Sequence, residues 1–268
     1  LKNPVIFTDL DGTLLDQDTY SFEKALPALE LLKEKNIPLI LCSSKTRREI
    51  EHYRKKLCNS HPFISENGGG IFLPNGYFKF QITDYKLQTE KDYVLIRLGA
   101  EYAQLRKALK ELRSEGFHVR GFGDMTVKDI SEATKLSADE AEMAKERDFD
   151  EPFFFDGGEH TLPLLFDAIK AKGFHHTQGK FFHILGDSDK GRAVVILSDL
   201  YRKQYGDIES IGIGDSPNDI PMLEKVDIPV IVQKPDESYD PRITIPDLMK
   251  AGGPGPDGWN MAVLKLLA

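Results

Sequence analysis

The chain has 268 residues, 40% of them hydrophobic, a formal net charge of −8 and only two cysteines. That length exceeds the usual single domain and suits a core carrying an inserted second unit. The negative balance argues against general nucleic-acid or membrane affinity, Cys42 and Cys58 have neither zinc-site nor disulfide-framework spacing, and no apolar run is long enough to span a bilayer.

Val5-Ile6-Phe7-Thr8 reads as a buried strand ending in Asp9-Leu10-Asp11-Gly12-Thr13. Side chains i and i+2 of a strand point the same way, so Asp9 and Asp11 repel unless a cation or a proton intervenes. Gly12 releases the backbone for a turn, and Thr13 offers a hydroxyl and an amide. The pentapeptide by itself also reads as a plain Asp-Gly turn. A helical period over 22–35 leads to a parallel strand at 37–41. Cys42, at its end, reads as ordinary core. Ser43-Ser44-Lys45-Thr46-Arg47 follows, where Thr46 and Glu49 form a capping box that opens a helix to residue 57. Hydroxyls at a strand end beside a helix N-terminus make an anion site, although a capped helix start explains the same residues.

A short strand at 62–65 precedes Glu66-Asn67-Gly68-Gly69-Gly70. This loop reads equally as backbone open to a ligand and as the turn before a hairpin, 71–73 with 77–80, around Pro74-Asn75-Gly76. From about Tyr85 to Leu185 the pattern changes. Helices at 100–114, 127–133 and 161–172 alternate with strands at 94–98, 119–121, 152–156 and 181–185. Ser137 and Glu140 form a second capping box, and the charged run 146–151 that follows that helix reads as solvated surface. Asp187-Ser188-Asp189-Lys190-Gly191-Arg192 opens an amphipathic helix. Lys190 falls in its first turn, where the macrodipole disfavours a cation. Ile211-Gly212-Ile213-Gly214 is a second strand ending in carboxylates, Asp215-Ser216-Pro217-Asn218-Asp219, and parallel sheets bind ligands at such strand ends. The glycine-rich stretch 252–258 reads as a loop reaching back toward that edge.

The four segments together resemble the four motifs of the haloacid dehalogenase superfamily, in order: Asp9-x-Asp11-x-Thr13, Ser43, Lys190, and Gly214-Asp215-x-x-Asn218-Asp219. The resemblance implies an α/β fold, with a Rossmann-like parallel-sheet core at 1–84 and 186–268 and an α+β cap inserted at 85–185. It implies a phosphohydrolase in which Asp9 is the nucleophile, Asp11 the general acid and base, and Ser43 and Lys190 stabilise phosphoryl charge. Mg²⁺ is the implied cofactor, held by the Asp9 and Asp215 carboxylates and the Asp11 carbonyl, with Asn218 and Asp219 orienting ligands or waters behind it.

Finer segments, Gly121 to Thr126, Gly179 to His183 and Pro254 to Trp259 among them, resemble the mannosyl-3-phosphoglycerate phosphatase family within that superfamily. They imply a phosphorylated sugar-glycerate substrate, with glucosyl-3-phosphoglycerate, sucrose 6-phosphate or a phosphomutase reaction as alternatives. A tri-anionic substrate needs local positive charge in an acidic protein. Substrate-binding candidates are Thr13, Ser44, Lys45, Arg47, Asn67, Gly68, Gly69, Arg147, Lys180 and His183, although His183 also reads as packing beside Phe181 and Phe182. Nothing resembles a signal peptide. A cytoplasmic soluble enzyme with no nucleic-acid or membrane partner is expected; the chain begins at Leu1, so a short native N-terminus is expected to be missing, and protein partners stay open.

Overall fold

The computed structural model describes residues 1–268. Strand β1 (Pro4–Thr8) leads to α1 (Leu26–Glu34), β2 (Leu39–Cys42), α2 (Arg47–Lys56), β3 (Phe63–Ser65), β4 (Gly70–Pro74), β5 (Leu87–Thr89) and β6 (Tyr93–Arg97). An insert follows: α3 (Tyr102–Ser114), β7 (Val119–Gly121), α4 (Val127–Thr134), α5 (Ala138–Lys145), β8 (Asp150–Phe155), α6 (Leu162–Ala171), β9 (His175–Gln178) and β10 (Phe182–Leu185). The chain returns through α7 (Lys190–Tyr205), β11 (Glu209–Gly214), α8 (Ile220–Leu223), β12 (Ile228–Gln233), β13 (Met249–Pro254) and α9 (Gly255–Leu267). No helix is long and apolar enough to cross a membrane.

The larger sheet has nine strands in the order β13-β12-β11-β1-β2-β3-β4-β6-β5. From β13 to β3 it is parallel; β4, β6 and β5 continue it antiparallel. Alternate residues of a strand face opposite ways, so one strand serves two cores. Ile6, Leu39, Leu41, Ile211 and Val230 pack with α1, α2 and α9. Val5, Phe7, Ile40 and Ile231 pack with α7 and α8. Burial on both faces is why these strands read as unbroken apolar runs. The insert has its own four-stranded antiparallel sheet, β7-β8-β10-β9. Helices α3 and α6 cover one face through Leu105, Leu109, Leu165 and Ile169. The same alternation sends Phe154 to the opposite side, against Phe122 and the small core of α4 and α5.

Four expectations are corrected. Residues 85–97 do not join the insert: β6 pairs with β4 and β5 pairs with β6, so this stretch extends the larger sheet and the separate sheet begins beyond Arg97. The hairpin of 71–73 with 77–80 does not form. A turn is present, the Tyr77 N–H donating to the Pro74 carbonyl at 3.0 Å. Yet β4 takes β3 and β6 as partners, and Tyr77 and Phe78 turn their rings onto Tyr201 of α7, at centroid distances of 6.1 and 5.3 Å. Burying two aromatic rings outweighs a two-stranded ribbon, which is marginal by itself. The run 146–151 is solvated only in part: Glu146 and Asp148 are exposed, but Arg147 is 7% exposed and Asp150 and Glu151 are fully buried. Residues 252–258 form the end of β13 and the start of α9 rather than a loop, though Gly255 does lie beside the Gly12 carbonyl.

The glycine loop before β4 is a packing joint. Gly68 has φ +89°, and a Cβ there would sit 2.0 Å from the Asp189 carbonyl oxygen; a Cβ on Gly69 would sit 2.2 Å from the Phe149 Cβ. These glycines let the loop touch the start of α7 and the insert, which corrects the reading of Gly68 and Gly69 as ligand contacts. Gly68→Ala therefore combines left-handed strain with an immovable backbone clash and should destabilise the protein by about 3 kcal/mol or more. Gly76 has φ +71° with open space around it, so Gly76→Ala should cost only about 1 kcal/mol. Equal denaturation midpoints for the two variants would exclude the packing argument.

Candidate active site

The C-terminal ends of β1, β2, β11 and β12 lie along one edge of the larger sheet and place Asp9, Ser43, Asp215 and Lys234 there. Above this edge is a cavity of about 450 Å³ shared with the insert, lined by Asp9, Asp11, Lys45, Arg147, Lys180, His183 and Asp215 among others. Lys190, first residue of α7, is 1% exposed; its Nζ donates to Asp9 Oδ1 and to Asp219 Oδ1, each at 2.6 Å. These two carboxylates explain a cation in the first turn of a helix. Asp219 Oδ2 accepts the backbone N–H groups of Asp215 and Ser216. Both Asp219 oxygens are thus committed, and the residue ties Lys190 to the turn that carries Asp215. The Thr13 hydroxyl donates to Asp215 Oδ1 at 3.1 Å. Thr13 is buried and orients Asp215, which corrects its reading as a substrate contact.

The carboxylates of Asp9, Asp215 and Asp219 approach within 4.8 Å of one another and are buried. One ammonium faces three carboxylates, an arrangement that repels itself. Burial pushes the Asp9 carboxyl up to about 7 against the pull of Lys190. Asp215 is raised well above the carboxylate range by burial, then by Asp219 and Asp9. Burial opposes the Lys190 charge, but Asp219 and Asp9 outweigh it and hold the ammonium above its ordinary value. A hard divalent cation beside Asp9 and Asp215 would balance the surplus negative charge, so the donor set fits an oxygen-ligated metal. Asp11 faces the same cavity but meets another cation, Lys45, whose Nζ lies 3.0 Å from Asp11 Oδ1 and 3.5 Å from Glu49 Oε1.

Ser43 is fully buried behind Ser44 and Lys45, and its hydroxyl oxygen accepts the Lys45 N–H at 3.2 Å. The capping box at Thr46 and Glu49 forms, and the Thr46 hydroxyl also donates to the Met143 carbonyl of α5, joining the core to the insert. Arg47 is not brought to the cavity. It pairs with Glu51 and Glu90 and lies over the Phe72 and Tyr93 rings, because its place on α2 faces the antiparallel edge of the sheet. This corrects its assignment to the substrate.

A buried polar network links the glycine loop to the insert. Glu66 accepts the N–H groups of Asp148, Phe149 and Asp150. Arg147 donates to the Ser44 carbonyl at 2.6 Å and is held by Asp150. Asp150 also receives Asn67 Nδ2 at 2.8 Å and contacts His183 Nδ1 at 3.0 Å. Asn67 Oδ1 accepts from Asn218 Nδ2 at 3.1 Å. Asn67 is thus a bridge between the Asp215–Asp219 turn and the insert, not a cavity residue. Period-two alternation explains His183: Phe182 and Ile184 pack toward α3 and α6, which turns His183 to the cavity, so it does not pack beside Phe181 and Phe182. Lys180 reaches the cavity from the β9–β10 turn.

Sequence reasoning missed Tyr20, Asp150, Lys234 and Arg242. Tyr20 Oη donates to the Thr134 carbonyl at 3.1 Å. Lys234 and Arg242 share the buried Asp240 carboxylate, each at 2.7 Å, at the cavity rim. The signal for Lys234 is its place just after the apolar run 228–232, at a parallel strand end. No signal marks Asp150, whose charged neighbours resemble a surface.

The model of the haloacid dehalogenase-like hydrolase family matches residues 6–239. The chain is 46% identical over 265 residues to the glucosyl-3-phosphoglycerate/mannosyl-3-phosphoglycerate phosphatase of Methanococcoides burtonii, covering 98% of this chain and 97% of the relative. It is 40% identical over 232 residues to the mannosyl-3-phosphoglycerate phosphatase of Pyrococcus furiosus, covering 85% and 90%. A crystal structure from Thermoplasma acidophilum aligns with a TM-score of 0.71 over 100% of this chain and 99% of that one, at 18% identity, and shares the fold. With a family match over most of its length and a relative this similar, the chain belongs to the haloacid dehalogenase-like hydrolases and is a phosphatase.

Proposed function

We propose that the substrate is a glycosyl-3-phosphoglycerate, mannosyl or glucosyl, hydrolysed at its phosphate ester in two steps through a phosphorylated Asp9. The observation that carries this reading is the Lys190 Nζ held 2.6 Å from both Asp9 and Asp219, with Asp9 lining a cavity whose walls also hold Lys45, Arg147, Lys180 and His183. Lys190 holds Asp9 Oδ1, and the second oxygen of Asp9 attacks phosphorus. The bond from phosphorus to the glycerate oxygen breaks, and the Asp11 carboxyl gives that oxygen its proton. Asp11, now ionised, takes a proton from water; the hydroxide attacks phosphorus and the bond to Asp9 breaks, releasing phosphate. Lys190, and the Ser43 hydroxyl with its proton free, offset charge on the transferring oxygens. Asp9, Asp215 and the Asp11 carbonyl would hold Mg²⁺, which when bound offsets the repulsion between an anionic nucleophile and an anionic ester. The names of the relatives in Methanococcoides burtonii and Pyrococcus furiosus support the substrate class.

The test is phosphate release from mannosyl- and glucosyl-3-phosphoglycerate, 3-phosphoglycerate, sucrose 6-phosphate and simple hexose phosphates, without a bisphosphate activator. Glycosyl-3-phosphoglycerates should give the highest kcat/KM. A preference for sucrose 6-phosphate or hexose phosphates would overturn the substrate class, and a requirement for a bisphosphate activator would indicate a mutase.

A further inference from the structure

The basic side chains around the cavity are unequally committed. Lys190 faces Asp9 and Asp219. Lys45 faces Asp11 and Glu49. Arg147 lies between Asp150 and Glu66, and His183 shares Asp150. An anion arriving at any of these buried groups must share it with a carboxylate already present. At the rim, Lys234 and Arg242 both rest on Asp240.

Lys180 differs. Its Nζ lies 3.3 Å from the Thr134 carbonyl and 5.8 Å from the Tyr20 ring centroid, and it forms no ion pair. The same ring lies 5.1 Å from Lys45 Nζ, which pairs with Asp11 at 3.0 Å, and Asp11 and Lys180 line one cavity. In the proposed reaction Asp11 serves the leaving oxygen, so Lys180 stands on the leaving-group side of the ester. There the glycerate carboxylate is two carbon–carbon bonds from the phosphorylated carbon. The turn that carries Lys180 is closed by the Gly179 N–H donating to the Phe181 carbonyl at 3.1 Å, and Arg242 Nη1 donates to the preceding Gln178 Oε1 at 3.1 Å. A braced turn presents its cation with little ordering cost on binding.

We propose that Lys180 is the specificity-determining residue that binds the substrate carboxylate, an assignment that rests on the phosphoglycerate-ester reading above. Unlike Lys45, Arg147 and His183, it offers an anion a donor that no carboxylate already shares. Lys180 is exposed on the cavity wall, and its ammonium keeps donors open to a carboxylate.

The experiment uses the full chain with Mg²⁺. 3-Phosphoglycerate and glycerol 3-phosphate, which differ in carrying a carboxylate or a hydroxymethyl group, compete with hydrolysis of p-nitrophenyl phosphate. The wild type should bind 3-phosphoglycerate about tenfold tighter or more, as an ion-paired hydrogen bond implies. Lys180→Met should bring the two inhibition constants within about twofold, and Lys180→Arg should restore most of the gap. Lys180→Gln, with unchanged far-UV circular dichroism, serves if the Met variant folds poorly. If Lys180→Met keeps the wild-type gap, or if Arg242→Met abolishes it instead, the assignment to Lys180 is overturned while the substrate class stands. If the wild type itself shows no gap, the phosphoglycerate reading falls and this one with it.

Discussion

Asp9→Asn should reduce phosphate release by about 10⁴-fold or more, the scale expected when a covalent nucleophile is removed. An amide neither attacks phosphorus nor carries the charge that Lys190 meets at 2.6 Å. The fold should survive. Asp9 is one of three clustered carboxylates served by one ammonium, and Lys190 retains Asp219 at 2.6 Å. Removing the buried charge of Asp9 should therefore leave the thermal midpoint of the metal-free protein at pH 8 equal to or above that of the wild type. Two measurements decide the matter. Near wild-type release by a folded Asp9→Asn protein removes Asp9 as nucleophile. A large fall in the midpoint would mean that Asp9 acts first as a structural partner of Lys190.

Chelation with EDTA should abolish turnover, and Mg²⁺ should restore it; Ca²⁺, with its larger and looser shell, should restore little. Stability gives a second readout. Burial pushes the Asp9 carboxyl up to about 7 in the folded, metal-free protein, well above the ordinary aspartate range. A carboxyl raised in the fold contributes stability below its unfolded value, and that contribution is lost as pH rises from about 4 to about 7. Asp215 is raised as well and acts in the same sense. Mg²⁺ binds the ionised carboxylates of the folded state, so its stabilising effect should grow over the same window. The Mg²⁺-induced rise in Tm should be larger at pH 8 than at pH 5. Full activity after exhaustive chelation, or a Tm shift independent of pH, would contradict a metal held by Asp9 and Asp215.

Local chemistry made much of this legible. A capping box is written in four residues, and those at Thr46 and at Ser137 form as read. Strand runs such as Val5 to Thr8 declare themselves because burial on both faces demands unbroken apolar sequence. Carboxylates at the ends of two such strands, Asp9 with Asp11 and Asp215 with Asp219, mark an edge where charge collects. Lys190 sits against the dipole of its own helix, yet only its company with the other three segments marked it out.

Pairing between distant segments is where reading by pattern stopped. Whether Val94 to Arg97 belongs to the core or the insert depends on which strand lies beside it, and β4 sits next to β6 in space although twenty-odd residues apart in the chain. The partners of a charge are equally invisible in sequence. Arg147, Asp150 and Glu66 have the composition of a solvated surface, yet together they satisfy one another's buried charge and the N–H groups of 148–150. Arg47 and Lys180 look alike as isolated cations; tertiary packing hands the first to Glu51 and Glu90 and leaves the second without a carboxylate. The sequence by itself determined the strand ends, the helix starts and the residues that carry charge, because these follow from neighbours along the chain. Only the tertiary structure decided which charges cancel, since a Coulomb interaction depends on distance and burial in space, whatever the separation in sequence.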